Sequence, residues 1–480
     1  MRKILTLMLL LFLLSTLLFA QQKPISGQKP LAFIHVTVID ATGAPAKPDM
    51  TVLVTGDRIA AIGKTGRVHI PKDAQNIEAT GKFLIPGLWD IHTHTLRSER
   101  KEFFLPLYLA FGVTGVRDMG AGDLTLRDQW RKEIDEDALI GPRIIATGRI
   151  VDGPLPYVPN SIACKDEAEG RQAVAATKKG GADFVKIYDF LSRNVFLAIA
   201  DESKKEKIPF VGHLPISVSA QEASDAGLKS MEHLWNLLIS CSSQEPELRE
   251  ELTRGINEAI AKRDRSLALA AYFRTYPKAV DSYSREKASR LFRRFARNHT
   301  WQCPTLTYWL GIGHTGLGEF AQDPRLKYLP ASLTRLWLSR TRSADEYASI
   351  KKLYEKNLEV VGEMRRGGVQ FLAGTDLLNA FCFPGFSLHD ELELLVRAGL
   401  TPMEALQSAT RNAASFLEKL DSLGTVEKGK IADLVLLDAN PLKDISNTRR
   451  INAVVVNGRL LDRIALDGLL AQVEARANKK

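Results

Sequence analysis

Cysteine is scarce in this chain: Cys164, Cys241, Cys303 and Cys382 are the only four in 480 residues. No two form a C-x-x-C pair, so neither a disulfide scaffold nor a thiolate metal site is specified. There is no short-period repeat and no long low-complexity tract, which sets aside solenoids and disordered linkers. Long apolar runs are also missing. The longest, residues 4–18, is about 15 residues, short for a membrane span, and a polytopic membrane protein is excluded. A large charge of one sign is absent as well. Lys plus Arg is 65 and Asp plus Glu 56, a formal +9, mild for this length, so no nucleic-acid partner is expected. What remains is ordinary globular composition, 45% hydrophobic and 25% charged. It suits one large catalytic domain with a smaller one.

Arg2 and Lys3 precede the apolar run, and Phe19-Ala20 then meets polar Gln21-Gln22-Lys23-Pro24. Residues 1–20 read as an export signal cut after Ala20, although Leu18 is larger than the residue preferred there. No Cys follows the run, so lipid attachment has no support. A periplasmic or secreted bacterial protein is expected, without stable membrane insertion once the signal is removed.

Residues 31–85 read as short alternating strands, with a turn at Gly56-Asp57. The tail, 423–465, has the same texture around the turn Asn457-Gly458. Neither half has enough strands alone, so the two ends are expected to form one small composite β-sandwich. Between them strands and helices alternate. Candidate strands at 87–94, 113–118, 143–147, 184–188, 210–213, 230–233, 302–306 and 370–375 predict an α/β fold, a (β/α)8 TIM barrel over 86–422. Helical inserts interrupt its later units. Leu248, Leu252, Ile256 and Ile260 mark one helix face. Ser343 with Glu346, and Thr401-Pro402 with Glu404, are helix-opening caps. Gly367-Gly368 is a helix end.

The chemistry-bearing residues sit near the strand ends. In Asp90-Ile91-His92-Thr93-His94 alternate side chains share a face, so His92 and His94 point together, as metal ligands would. Lys186 is a charged group inside an apolar strand. His213 ends Val211-Gly212-His213, His233 ends Met231-Glu232-His233, and Asp376 closes Gly374-Thr375-Asp376. Singly, these read equally as core histidines, a buried ion pair or a helix cap. Together they fall at or near barrel strand ends, where barrel active sites lie. The donors are nitrogen and oxygen, which favours zinc, with manganese, cobalt or iron as alternatives.

The stretch Ile85-Pro86-Gly87-Leu88-Trp89-Asp90-Ile91-His92-Thr93-His94, followed in order by the Lys, two His and Asp, resembles the amidohydrolase superfamily. Residues 181–188 most resemble its imidazolonepropionase-related branch, which contains Xaa-Pro dipeptidases (prolidases). The tail 424–435 and residues 398–406 share the likeness. The resemblance implies two divalent metal ions: His92, His94 and Asp376 on the first, His213 and His233 on the second. Lys186, N6-carboxylated by CO2, would bridge both. It further implies a metal-bridged hydroxide as nucleophile and Asp376 as general base and acid. Hydrolysis of an amide or peptide C–N bond is expected, in a small-molecule dipeptide or N-acyl amino acid.

Two departures matter. The loop 147–157 lacks the His that dipeptidase-like relatives carry there, which leaves Tyr157, Tyr188 and Arg97 as candidate substrate contacts. His213-Leu214-Pro215-Ile216-Ser217 lacks the Glu of zinc deaminases, which argues against deamination. A mononuclear ring hydrolase of imidazolonepropionase type and a non-catalytic exported binding protein are the alternatives, and a homo-oligomer is allowed. The basic run Arg285, Lys287, Arg290, Arg293, Arg294 and Arg297 reads as the solvated face of an insert helix. His389 belongs to a helix start.

Overall fold

The computed structural model describes residues 29–120, 122–314, 319–339 and 343–479. The export signal read at 1–20 lies outside them. Both chain ends enter one eight-stranded sheet. Leu31–Val38 pairs with Lys47–Thr55, and that strand with Arg58–Lys64. On the other side Phe83–Pro86 pairs with Leu434–Leu437, which leads to Ile451–Val456 and Arg459–Leu461. Phe33, Val52, Val54, Leu434, Leu436 and Val455 share one core, so the sheet folds over its own apolar face. The alternation read through 33–39 is broken by a bulge. His35 takes φ 58° and the register shifts between Phe33 and Val36, which turns both inward.

Leu88–Thr93, Val113–Asp118 and Arg143–Ala146 form a parallel sheet. Val185–Ile187, Phe210–Gly212, Ser230–Glu232 and Trp301–Cys303 form a second. Asp183 N donates to Ala146 O at 2.9 Å, and Ile150–Asp152 continues the third strand alongside Val185–Ile187. At the far edge Gln302 N donates to Gln370 O at 3.0 Å, Leu372 N to Gln302 O at 2.9 Å, and Ile91 N to Ala373 O at 2.9 Å. Segment 370–373 therefore links the last strand back to the first, and the parallel ring closes as a (β/α)8 barrel. Of the barrel strands only Val113–Asp118 runs as long as the sequence suggests, and the last two depart furthest. Thr305 turns to φ 45° and a helix opens at Leu306. Phe371 makes only an isolated bridge.

The inserts are helical. Glu245–Lys262, Arg265–Asp281 and Arg285–Asn298 lie between the sixth and seventh strands, and Leu306–His314, Ala331–Leu338 and Ala344–Arg366 follow the seventh. Leu248, Leu252 and Ile256 are buried, as their spacing requires, and Ile260 packs at the margin. Both capping boxes form, on Ser343 and on Thr401. The basic helix is tied into the chain: Arg285 meets Glu359, Lys287 meets Glu245 and Arg294 meets Asp225. His389 lies buried near the start of Phe386–Arg397. A last helix, Arg463–Ala477, which the sequence reading did not contain, lies against Lys101–Ala110 through an Arg476–Glu102 ion pair. The four cysteines are buried and unpaired with each other. Among the described residues, no helix is long and apolar enough to cross a membrane.

Candidate metal centre

The barrel strands deliver the side chains to one cavity of about 580 Å³, lined by His92, His94, Lys186, His213, His233 and Asp376 together. His92 is inside Leu88–Thr93 and His94 just past it. Lys186 is the middle of Val185–Ile187, and His213 and His233 each follow a three-residue strand. Backbone constraint is concentrated here. His233 (φ 63°), Leu234 (60°), Asn236 (62°) and Asp376 (54°) are left-handed without being glycine, a conformation that L-residues hold only when their surroundings fix it. Close approach demands glycine at two points. A Cβ on Gly374 would lie 2.7 Å from His92 Cβ and 2.6 Å from Cys303 Sγ, and one on Gly212 2.2 Å from Ile187 O.

Asp376 is the hub. Its Oδ1 is 3.2 Å from His94 Nε2 and 3.6 Å from His92 Nε2, and its Oδ2 is 3.6 Å from His233 Nδ1. The His92 and His233 rings are 4.3 Å apart between centroids, and His213 and His233 4.9 Å. Ligand atoms of His92, His94 and Asp376 all lie within 4.8 Å of one another, spacing suited to one metal ion. Two buried atoms in the cluster lack any hydrogen-bond partner, His92 Nε2 and Lys186 Nζ. Buried polar atoms are rarely left so, and both are of the type a metal or a carbamate would use. The donor set therefore fits divalent metal.

Electrostatics favour three neutral imidazoles around a charged carboxylate, with His94 as the exception. Burial holds His92, His213 and His233 well below the ordinary imidazole range. Burial also pulls Lys186 down to about 8. For Asp376 burial acts upward, but the neighbouring His233, His94 and Lys186 outweigh it and the carboxyl ends lowered. Burial acts downward on His94, where the Asp376 carboxylate prevails and the imidazole ends raised.

A supporting layer that the sequence reading missed fixes the rings. His92 Nδ1 donates to Glu232 Oε2 at 2.8 Å, His94 Nδ1 to the Gly120 carbonyl at 3.1 Å, and His213 Nδ1 to Asp189 Oδ1 at 3.1 Å. With Nδ1 occupied as donor, each of these three Nε2 atoms keeps its lone pair. Glu232 is itself held by Arg117 Nη2 at 2.9 Å and Ser230 Oγ at 2.5 Å. His92, Glu232 and Cys303 also lie within metal-binding distance of one another. There Glu232 is already engaged and burial pushes the Cys303 thiol well up, so that trio reads as support. Asp90 braces the floor, accepting from Thr375 Oγ1 at 2.7 Å and His92 N at 3.2 Å. One signal could have found Glu232: like Lys186, it is a charged residue inside a barrel strand.

Tyr188, Tyr157 and Arg97, the candidate substrate contacts, all line the cavity. Tyr188 stacks on His213 with centroids 3.8 Å apart, and Tyr157, 47% exposed, stacks beyond it at 6.4 Å. Further lining comes from Arg100, from Trp235 in the turn after the sixth strand, and from Tyr272, Tyr276 and Tyr308 on the inserts, none of them singled out from sequence. Burial and the adjacent Arg97 charge pull Arg100 down to about 10.

Residues 328–461 match the amidohydrolase family model. The chain is 28% identical to an imidazolonepropionase of Rubrobacter xylanophilus over 437 residues, 86% of this chain and 90% of that one. A shorter stretch of 118 residues is 45% identical to the imidazolonepropionase of Pyrobaculum arsenaticum, 24% of this chain and 29% of that protein. The match thus spans under a third of that relative's length. In fold, the chain resembles bottromycin amidohydrolase, with TM-score 0.72, 23% identity and coverage of 94% and 92%. It also resembles a Xaa-Pro dipeptidase, with TM-score 0.64, 19% identity and coverage of 90% and 100%. Residues 328–461 thus carry an amidohydrolase-family domain, and the relatives that the chain matches are hydrolases acting on carbon–nitrogen bonds. Imidazolonepropionases are among the relatives it matches, and its structural neighbours include prolidase-like enzymes.

Proposed function

We propose that this chain is a metal-dependent amidohydrolase that breaks the amide or peptide bond of a dipeptide or an N-acyl amino acid. The observation that carries the reading is the convergence of His92, His94 and Asp376 within 4.8 Å, beside the buried, unpartnered Lys186 amine. His92, His94 and Asp376 would hold one ion, His213 and His233 a second, and a carbamate formed on Lys186 from CO2 would give both an anionic bridge. Bound there, divalent metal supplies Lewis acidity, which acidifies water and polarises a carbonyl.

The side chains do the rest. Asp376 accepts the proton of the attacking water on its carboxylate and returns it to the leaving nitrogen. Water adds across the C–N bond: the acyl carbon becomes a carboxylate and the nitrogen leaves as an amine. Glu232, Gly120 and Asp189 keep three imidazoles in the Nδ1–H tautomer throughout. The export signal read at 1–20 supports a periplasmic or secreted enzyme.

The test is amine release from a panel of dipeptides and N-acyl amino acids. Cleavage that chelation abolishes and zinc restores is expected. No cleavage across the panel would overturn the substrate assignment. A second reading, a mononuclear cyclic-amide hydrolase of imidazolonepropionase type, draws support from the full-length likeness to that relative. Metal content decides: about two ions per chain supports the binuclear centre, and about one supports the ring hydrolase.

A further inference from the structure

The cavity has two chemically different sides. On the His94 side stand Arg97 and Arg100. Arg100 Nη1 donates to the His94 carbonyl at 2.6 Å, which fixes the guanidinium beside the centre. Its nearest carboxylate, Glu99, is 4.0 Å away, and Arg97 has no ion pair among the described residues. The Asp118 carboxylate on this side already accepts from the backbone N–H groups of Thr95, Leu96 and Gly120, and two neighbouring guanidinium groups at a cavity wall are a ready site for an anionic oxygen pair.

On the His233 side the wall is aromatic. Trp235 lies two residues past His233, and its ring meets Tyr276 at 5.3 Å, Tyr272 at 5.7 Å and Tyr308 at 6.3 Å. Tyr308 stands 5.8 Å from the His233 ring. Tyr276 donates its hydroxyl to Asn236 Oδ1 at 3.0 Å, which fixes that ring with its polar end already satisfied. The tyrosines come from the inserts and Trp235 from the turn after the sixth strand. At about 580 Å³ the space also exceeds the needs of a small dipeptide.

We infer that the substrate carries a flat aromatic group on the acyl side of its amide and a carboxylate on the amine side, as in an N-aroyl amino acid. The amide itself rests on the proposed function, whereas the two-sided recognition does not. The ring would lie against Trp235 and Tyr308, the carboxylate on Arg97 and Arg100, and the carbonyl carbon between them over the ligand cluster.

Keto acids that replace the amide nitrogen by a methylene cannot be hydrolysed, so they report recognition alone. Calorimetry on the zinc-loaded full chain would compare naphthoylpropionate with its methyl analogue levulinate, and with naphthoylpropionamide. Naphthoylpropionate is expected to bind tighter than either by about tenfold or more. Trp235→Leu should remove the advantage over levulinate, with Trp235→Phe retaining most of it. Arg97→Gln, at an exposed position, should narrow the gap between acid and amide. Equal affinities, no binding of any of the three, or an aromatic advantage that survives Trp235→Leu would overturn the inference. If naphthoylpropionate binds with this pattern while no amide is cleaved, the hydrolytic reading fails and the recognition stands.

Discussion

Glu232→Gln probes how the centre is held. Glu232 is fully buried, with one oxygen 2.8 Å from His92 Nδ1 and the other taking Arg117 at 2.9 Å and Ser230 at 2.5 Å. A carboxylate accepts on both oxygens, so His92 donates from Nδ1 and its Nε2 stays free for the site. An amide has one acceptor oxygen. If that oxygen stays with Arg117, the amide NH2 faces His92 Nδ1, which must then accept. The ring proton moves to Nε2 and fills the position a metal needs. If the amide flips, its NH2 meets the Arg117 guanidinium, donor against donor. Supporting partners of this kind are worth about 10–100-fold in metal affinity, which converts to roughly 1.4–2.7 kcal/mol. Stability falls too, because Arg117 stays buried without its counter-charge. Complete removal of such a partner costs about 3–5 kcal/mol, an upper bound for a side chain of the same size. Zinc affinity by chelator competition, paired with urea unfolding, reads both. A folded Glu232→Gln protein with wild-type zinc affinity would refute the positioning role.

Lys186→Ala should lose one or both metal ions, and small carboxylic acids should partly restore turnover by supplying the missing oxygens. Metal analysis with and without acetate checks this, and full metal and activity without rescue would contradict it. Gly374→Ala forces a methyl against His92 and Cys303, so about 1–3 kcal/mol of stability and much of the zinc affinity should go. Wild-type values in both unfolding and zinc titration would count against that packing. His389 gives a pH signature. Burial, with Arg449 adding and Asp390 opposing, lowers its pKa from 6.5 to about 4. Its Nε2 donates to Phe111 O at 3.0 Å, and its Nδ1 is 2.9 Å from Thr448 Oγ1. Between those pKa values the unfolded chain binds the extra proton, so stability should fall as pH drops from about 6.5 towards 4, by about 3 kcal/mol in all. His389→Gln should flatten that slope in urea titrations at several pH values. An unchanged slope would remove His389 as its cause.

Regular periodicity was legible in the sequence, and irregular geometry was not. The two capping boxes and the Leu248, Leu252, Ile256 face followed from helical spacing, and the barrel from the alternation of strands and helices. His92 and His94 were legible because alternate strand residues share a face. The eighth barrel segment was legible as the apolar run 370–375, but its sparse ladder, a single bridge at Phe371, was not. The bulge at His35 hid in an apparently even alternation. Arg463–Ala477 has apolar residues on no sustained stripe, with only Leu466 and Val473 buried, so its periodicity carried no signal. Glu232, Asp189 and Gly120 support the histidines across strands far apart in sequence, and pairing of that kind follows from barrel register. The aromatic wall depended on how the inserts fold back over the strand ends, which local patterns do not encode.

In the proposed reaction Asp376 drives hydrolysis at a metal centre built by these six side chains. The most direct test compares zinc-loaded wild type with Asp376→Asn on the substrate cleaved best, with circular dichroism and metal content recorded for both. Amine release by wild type alone, from two proteins equally folded, is the expected result. Equal release by Asp376→Asn would contradict the assignment of the centre.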